Sequence, residues 1–118
     1  MVRKIIEENL VSIPEVKEIM DDVVKRMSES GEVKLDAFQE ATYEYVNTFS
    51  KMPAKTARKI IETLVKEYHM DDAVAIQVVN IDPKYVEELR VIFEKDAQLR
   101  NLTEKELTEI IQFLKDSQ

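Results

Sequence analysis

Three short polar patterns mark where helices begin in this chain. In each, a Ser, Thr or Asp stands three residues before a Glu or Gln, which is the spacing of a helix capping box. The patterns run from Ser12 to Glu15, from Asp36 to Gln39 and from Thr103 to Glu106. Apolar residues at the i, i+3, i+4 spacing of one helical face follow each pattern. These starts predict that most of the chain is α-helical.

The same signals predict the extent of the first two helices. The first is expected from about Ile13 to Glu29, and Gly31, the only glycine, is placed to end it in a left-handed conformation. The second is expected from about Ala37 to Ser50. Pro53 is expected to open a third helix, and the apolar run 73–79 is interpreted as a short buried fourth helix.

The stretch from Asn80 to Leu114 is predicted to form a helical hairpin. Asp82 is expected to cap its first helix, with Pro83 at the first helical position, where a missing N–H is no loss. Ile81 is then expected to pack on Val86 across that cap. Together these elements predict an all-α fold, a helical bundle.

The N-terminal segment Arg3–Val11 allows more than one interpretation. Its apolar residues fit a helical stripe, but Pro14 disfavours helical geometry at Ile13, so an extended segment is predicted. A lone strand in a helical protein has backbone N–H and C=O groups that need partners. It is either a frayed tail or a strand added to the sheet of another protein, and Ile5 and Ile6 favour the second.

Composition excludes several classes of function. A single glycine is too few for a phosphate-binding loop of the P-loop or Rossmann type. The chain has no Cys and one His, which excludes thiol nucleophiles, Cys-based zinc sites and a metalloprotease motif with two His. No apolar run approaches the length of a membrane span, and the absence of disulfides suits a cytoplasmic protein.

Charge is distributed unevenly. The net charge is −7, and residues 70–118 hold 6 basic and 11 acidic side chains. Such a chain is a poor nucleic-acid binder by itself, because phosphates repel it. One basic cluster stands out, in a stretch without acids between Glu44 and Glu62. It is either a solvated helix face or an RNA-backbone contact, and it consists of Lys51, Lys55, Arg58 and Lys59.

Two weaker candidate sites have ordinary structural interpretations. His69 with Asp71 and Asp72 resembles a metal-ligand group, but carboxylates before a helix are more often caps. Among the aromatic residues, Tyr45 and Phe49 are expected in the core, and Tyr43 is the freer candidate for stacking on a base.

The chain resembles the F subunit of archaeal RNA polymerase, the counterpart of the fourth-largest subunit of eukaryotic RNA polymerase II, over essentially its whole length. The order and spacing of several segments carry this resemblance, and no single motif does. The segments are Arg3–Glu8, Ser12–Ile19, Thr42–Lys51, Ala75–Ile81 with Pro83, Glu88–Arg90 and Leu102–Leu107.

The resemblance implies a non-catalytic stalk subunit that forms a heterodimer with the E subunit of the polymerase and supports promoter opening, nascent RNA contact and processivity. It implies that residues 1–34 hold the E subunit and that residues 35–118 form a domain similar to the HRDC module of helicases. No cofactor or metal is expected. The residues expected to bind the E subunit are Ile5, Ile6, Leu10, Val11, Val16, Ile19, Met20 and Val23.

Two other classes of function compete with this interpretation. A free-standing HRDC-like module that binds single-stranded nucleic acid would be a monomer with salt-dependent affinity. An enzyme is disfavoured, because nucleophile, metal and phosphate motifs are missing.

Overall fold

The computed structural model describes residues 10–31 and 35–118, and all regular structure in these ranges is helical. One short 3-10 helix, Leu99–Asn101, lies between the last two α-helices. This confirms the predicted all-α class. The α-helices are α1 (Ile13–Ser30), α2 (Ala37–Phe49), α3 (Ala54–Glu67), α4 (Asp72–Ile81), α5 (Val86–Phe93) and α6 (Glu104–Asp116).

Capping boxes predicted from the sequence explain three of the six α-helix starts. The capping boxes that begin at Ser12, Asp36 and Thr103 are all formed, with both reciprocal hydrogen bonds present. Gly31 ends α1 at φ 69°, in the left-handed region where only glycine is unstrained. Pro53 directly precedes α3, as predicted. The run 73–79 lies within α4, so the prediction of a short helix there is confirmed.

The hydrophobic core is built by α3, α4, α5 and α6. Ala57, Leu64, Ala75, Val78 and Leu89 are completely buried in it. The larger set of core residues runs from Met52 to Leu114 and contains no residue of α1 or α2. The first two helices therefore lie outside the core, with α1 packed against both α2 and α3.

The predicted start of the hairpin at Asp82 and Pro83 is wrong. Asp82 has φ 50° and ends α4 in the left-handed conformation, and α5 begins only at Val86. The Asp82 carboxylate caps no helix, because it accepts hydrogen bonds from Lys84 Nζ at 2.9 Å and Gln118 Nε2 at 2.8 Å. The cap across which Ile81 was expected to pack on Val86 is therefore not at Asp82, and the packing itself stays a prediction.

Glu88 takes over the role that Asp82 was expected to play at the start of α5. Its carboxylate accepts the backbone N–H of Lys84 at 2.9 Å and of Tyr85 at 3.1 Å. These contacts satisfy donors that an N-terminal helical turn leaves without partners.

The predicted N-terminal strand lies mostly outside the described residues. Of that segment only Leu10 and Val11 are described, and they are in neither helix nor strand. Whether a domain boundary follows residue 34 stays a prediction. Within the described ranges, no helix is long and apolar enough to cross a membrane.

Candidate functional site

The apolar stripe of α1 is the candidate protein-binding surface. In this 18-residue helix only Pro14 is buried. Ile19 is 54% exposed, and Val16, Met20 and Val23 are half-buried. An amphipathic helix in a globular protein normally turns its apolar side to the core. The described part of this chain covers the apolar stripe only in part. The exposed remainder of the stripe is therefore suited to bind a second protein.

The residues just before α1 extend this surface. Leu10 is 62% exposed and Val11 is 43% exposed. Leu10 also lines a groove of about 660 Å³, together with side chains of α3 and α4 that include Ile61, Val65 and Ile76. Ile5 and Ile6, the other two residues predicted to bind a partner, lie outside the described residues.

A polar contact holds α2 to α1. The Tyr43 hydroxyl donates to Asp21 Oδ1 at 2.9 Å, and Lys17 Nζ donates to Asp21 Oδ2 at 2.8 Å. The hydrogen bond from Lys17 lowers the pKa of the Asp21 carboxyl, and the bond from Tyr43 lowers it further, against partial desolvation. The Asp21 carboxyl therefore remains ionised at a lower pH than an ordinary aspartate does. The Tyr43 hydroxyl is engaged in this hydrogen bond.

The prediction that Tyr45 and Phe49 belong to the core is wrong. Tyr45 is 55% exposed and Phe49 is 44% exposed, with ring centroids 4.6 Å apart. The reason is that α2 turns Tyr43 toward Asp21 of α1 and buries Val46, which leaves its aromatic side outward. Phe38, one heptad before Tyr45, is 81% exposed on the same side.

The start of α1 is attached to the core helices. Ser12 is completely buried, and the backbone N–H of Ile13 donates to Asn80 Oδ1 on α4 at 2.8 Å. One turn further, the Arg58 guanidinium of α3 lies 3.2 Å from the Glu18 carboxylate. These contacts set the angle at which α1 leaves the core.

The predicted basic cluster is on the surface. Lys55, Arg58 and Lys59 have the spacing of one face of α3, and Lys51 lies just before Pro53. Arg58 pairs with Glu18, whereas within the described residues the three lysines have no carboxylate within 4.0 Å. The positive charge of the cluster that no nearby carboxylate balances therefore belongs to the three lysines.

His69 lies just after α3, two residues beyond its last residue, Glu67. It has φ 58°, in the left-handed region, and the following N–H, that of Met70, donates back to Leu64 O at 3.2 Å. Asp71 is at the N-cap of α4 but makes no capping hydrogen bond with its side chain. Among the described residues, no group of three or more His, Asp or Glu is placed to hold a metal ion.

Sequence reasoning missed the polar residues that link elements. Asn80 contacts Ile13 across 67 positions, and Asp21 contacts Tyr43 across 22. No local pattern marks either pair, because Asn and Asp near helix ends are usually explained by local hydrogen bonds.

With this arrangement established, comparison with known proteins identifies the class. Residues 10–118 match the family RNA polymerase Rpb4. The chain belongs to this family. The matched residues include all six α-helices, among them α1, whose apolar stripe is only partly buried. The predicted family resemblance is confirmed.

Two curated relatives are archaeal. The DNA-directed RNA polymerase subunit Rpo4 of Methanocaldococcus jannaschii is 29% identical over 109 residues, which are 92% of this chain and 87% of the relative. The DNA-directed RNA polymerase subunit Rpo4 of Saccharolobus solfataricus is 27% identical over 111 residues, or 94% of this chain and 91% of the relative. The similarity is therefore to whole subunits.

Proposed function

We propose that this chain is a non-catalytic subunit of a cytoplasmic archaeal RNA polymerase, attached to the polymerase core as a heterodimer with the E subunit. The observation that carries this proposal is the partly covered apolar stripe of α1, in a chain of the Rpb4 family. In this proposal residues 1–34 hold the E subunit, and residues 35–118 form the HRDC-like part. The heterodimer supports promoter opening, contact with nascent RNA and processivity.

The physical argument for a protein partner is the composition of the exposed surface around α1. Exposed apolar side chains occur singly on most proteins, whereas grouped ones mark binding sites. Leu10, Val11 and Ile19 are all more than 40% exposed within ten residues of one another. Ile5 and Ile6, which complete the proposed interface, precede them closely in the chain.

Affinity purification from the native host tests this function. A tagged chain is expected to recover the E subunit and the large polymerase subunits in comparable amounts, because a heterodimer joined to the core withstands washing. Nuclease treatment before elution is the control, since it removes proteins held only through nucleic acid. Recovery of the chain alone would support the alternative, a free-standing HRDC-like module that binds single-stranded nucleic acid.

Contact with RNA is proposed for the basic cluster in the assembled stalk. Lys51, Lys55 and Lys59 are exposed, and Arg58 is partly engaged by Glu18. Lysines without a nearby carboxylate are available to phosphates, which give affinity without sequence specificity. The acidity of the whole chain means that such contacts act only when a partner brings RNA close.

Replacing Lys55 and Lys59 by Ala in the heterodimer is expected to weaken RNA binding equally for different sequences. The salt dependence of log K should flatten by roughly one to two units, since each lost phosphate contact releases about one fewer counterion. Filter binding at several salt concentrations measures this slope. The double variant of Lys105 and Lys115, which are exposed on α6, is the matched control. An unchanged slope in the α3 variant would show that the cluster is a solvated face.

A further inference from the structure

The first turn of α1 satisfies its backbone donors in an unusual way. A helix start leaves its first N–H groups without helical acceptors. Ser12 N–H donates to the Glu15 carboxylate at 3.1 Å, and Glu15 N–H donates to Ser12 Oγ at 3.4 Å. Pro14 has no N–H. The only remaining donor of this turn is Ile13 N–H, and its acceptor, Asn80 Oδ1, is in a different helix.

The surroundings make this hydrogen bond hard to replace. Ser12 and Pro14, on either side of Ile13, are completely buried, and Ile13 and Asn80 are half-buried. A buried N–H that loses its acceptor costs more than a net hydrogen bond contributes, because it was already removed from water. The two completely buried neighbours limit the access of water to this N–H.

The other polar contact between α1 and the core helices is weaker. The pair between Arg58 and Glu18 has side chains that are 51% and 55% exposed. Exposed ion pairs contribute little, because solvent screens the charges and two long side chains must be ordered. Of the two polar contacts, the hydrogen bond to Asn80, which is part-buried, therefore contributes more to the attachment of α1.

We infer that Asn80 is a positioning residue for the partner interface, an inference that rests on the proposed function. It fixes the start of α1 and so the direction in which Leu10 and Val11 leave the core. Both residues are exposed and directly precede the buried Ser12. A partner that binds them together with Ile19 meets a preorganised surface and does not have to order the first turn, which lowers the cost of binding.

Two substitutions at Asn80 separate its hydrogen bond from its contribution to α4. Asn80→Ala removes the acceptor, while Ala is the better helix former, so α4 itself loses nothing. Asn80→Asp keeps an oxygen at the same place; its negative charge is favoured by the N-terminus of α1 and disfavoured by the C-terminus of α4, so these two helix-dipole effects oppose each other. Asn101→Ala is the matched control. Its side chain also bonds a backbone group, Ala97 O at 3.2 Å, but within its own exposed segment.

Titration calorimetry of the full-length chain with the E subunit measures the effect. Asn80→Ala is expected to lower affinity about tenfold, because the first turn of α1 then loosens in the free chain and binding has to order it again. Asn80→Asp and Asn101→Ala should stay within about twofold of the parent chain, a difference below about 0.5 kcal/mol. Equal losses in Asn80→Ala and Asn80→Asp would overturn the inference, as would parent-like binding by Asn80→Ala.

A second measurement keeps the inference testable if Asn80→Ala folds poorly. Hydrogen exchange of the Ile13 amide, followed by NMR in the free parent chain, should be slow and should be equally slow in Asn80→Asp. Fast exchange of this amide in the parent would show that the contact with Asn80 is not held. If the parent chain does not bind the E subunit at all, the proposed function fails, and this exchange result still stands separately.

Discussion

Replacing Ile19 by Asp is expected to weaken binding of the proposed partner, the E subunit, by about a hundredfold, or about 2.7 kcal/mol. Ile19 is 54% exposed on the partly covered stripe of α1, so the free chain tolerates a charge there. In a closed apolar interface the same carboxylate would be removed from water without a partner, which costs several kcal/mol. The free energy of unfolding of the chain alone should change by less than about 0.5 kcal/mol.

Val91→Asp is the matched control for Ile19→Asp. Val91 is an aliphatic residue that is 71% exposed on α5, outside the proposed interface. It receives the same charge in a helix of the same chain, so it reports any general effect of added negative charge. Calorimetry with the E subunit should show parent-like binding for Val91→Asp. Equal affinity of the two variants would show that the stripe of α1 is not the interface.

The helix starts that the sequence predicted correctly are local. A capping box needs two residues three positions apart, as at Ser12 with Glu15 and at Thr103 with Glu106, and its hydrogen bonds form without help from the rest of the fold. Gly31 is another local signal, because a left-handed residue is needed to end α1 there and glycine adopts that conformation freely. Such features can be recognised from a few neighbouring residues.

Asp82 shows where local signals fail. An Asp followed by Pro occurs at helix starts, and Pro is also common just after helix ends. Here Asp82 ends α4, and its carboxylate accepts hydrogen bonds from Lys84 and from Gln118, which is 36 positions away. Sequence spacing cannot report that contact. The type of residue at position 82 fits a helix N-cap, but the tertiary structure places Asp82 at the end of α4 instead.

The apolar stripes were recognised correctly, but the sequence does not say what covers them. The stripes that contain Ile19 on α1 and Tyr45 on α2 have helical spacing, yet both residues remain exposed. A stripe predicts burial against some surface, and that surface is either the same chain or another one. Only the three-dimensional arrangement shows that the main core cluster contains no residue of these two helices.

The contact between Ile13 and Asn80 could not be predicted for a different reason. Both partners are ordinary within their own helices, and 67 positions separate them. The capping box at Ser12 indicated a helix start, but it left open which group accepts the one remaining N–H. Accounting for every backbone donor of that turn identifies Asn80, and this requires the three-dimensional structure.

Phe93→Ala is expected to cost about 3–5 kcal/mol of unfolding free energy, the largest stability effect predicted for this chain. Phe93 is 1% exposed and ends α5, where Leu89, one turn earlier, is completely buried beside it in the core of α3 to α6. Removing the ring leaves a cavity that the eight-residue helix α5 cannot close by a small shift. Since small domains have about 5–15 kcal/mol of stability in all, the variant should be close to its unfolding threshold at room temperature.

Phe38→Ala makes the same chemical change at a residue that is 81% exposed on α2, and it should change stability by less than about 0.5 kcal/mol. Urea unfolding of both variants, followed by far-UV circular dichroism, gives the two midpoints under identical conditions. A large shift for Phe93→Ala and almost none for Phe38→Ala is expected, because only the first removes packing from the core. Similar shifts would mean that the side chain of Phe38 is covered in the free chain, and the description of α2 as an outer helix would then be wrong.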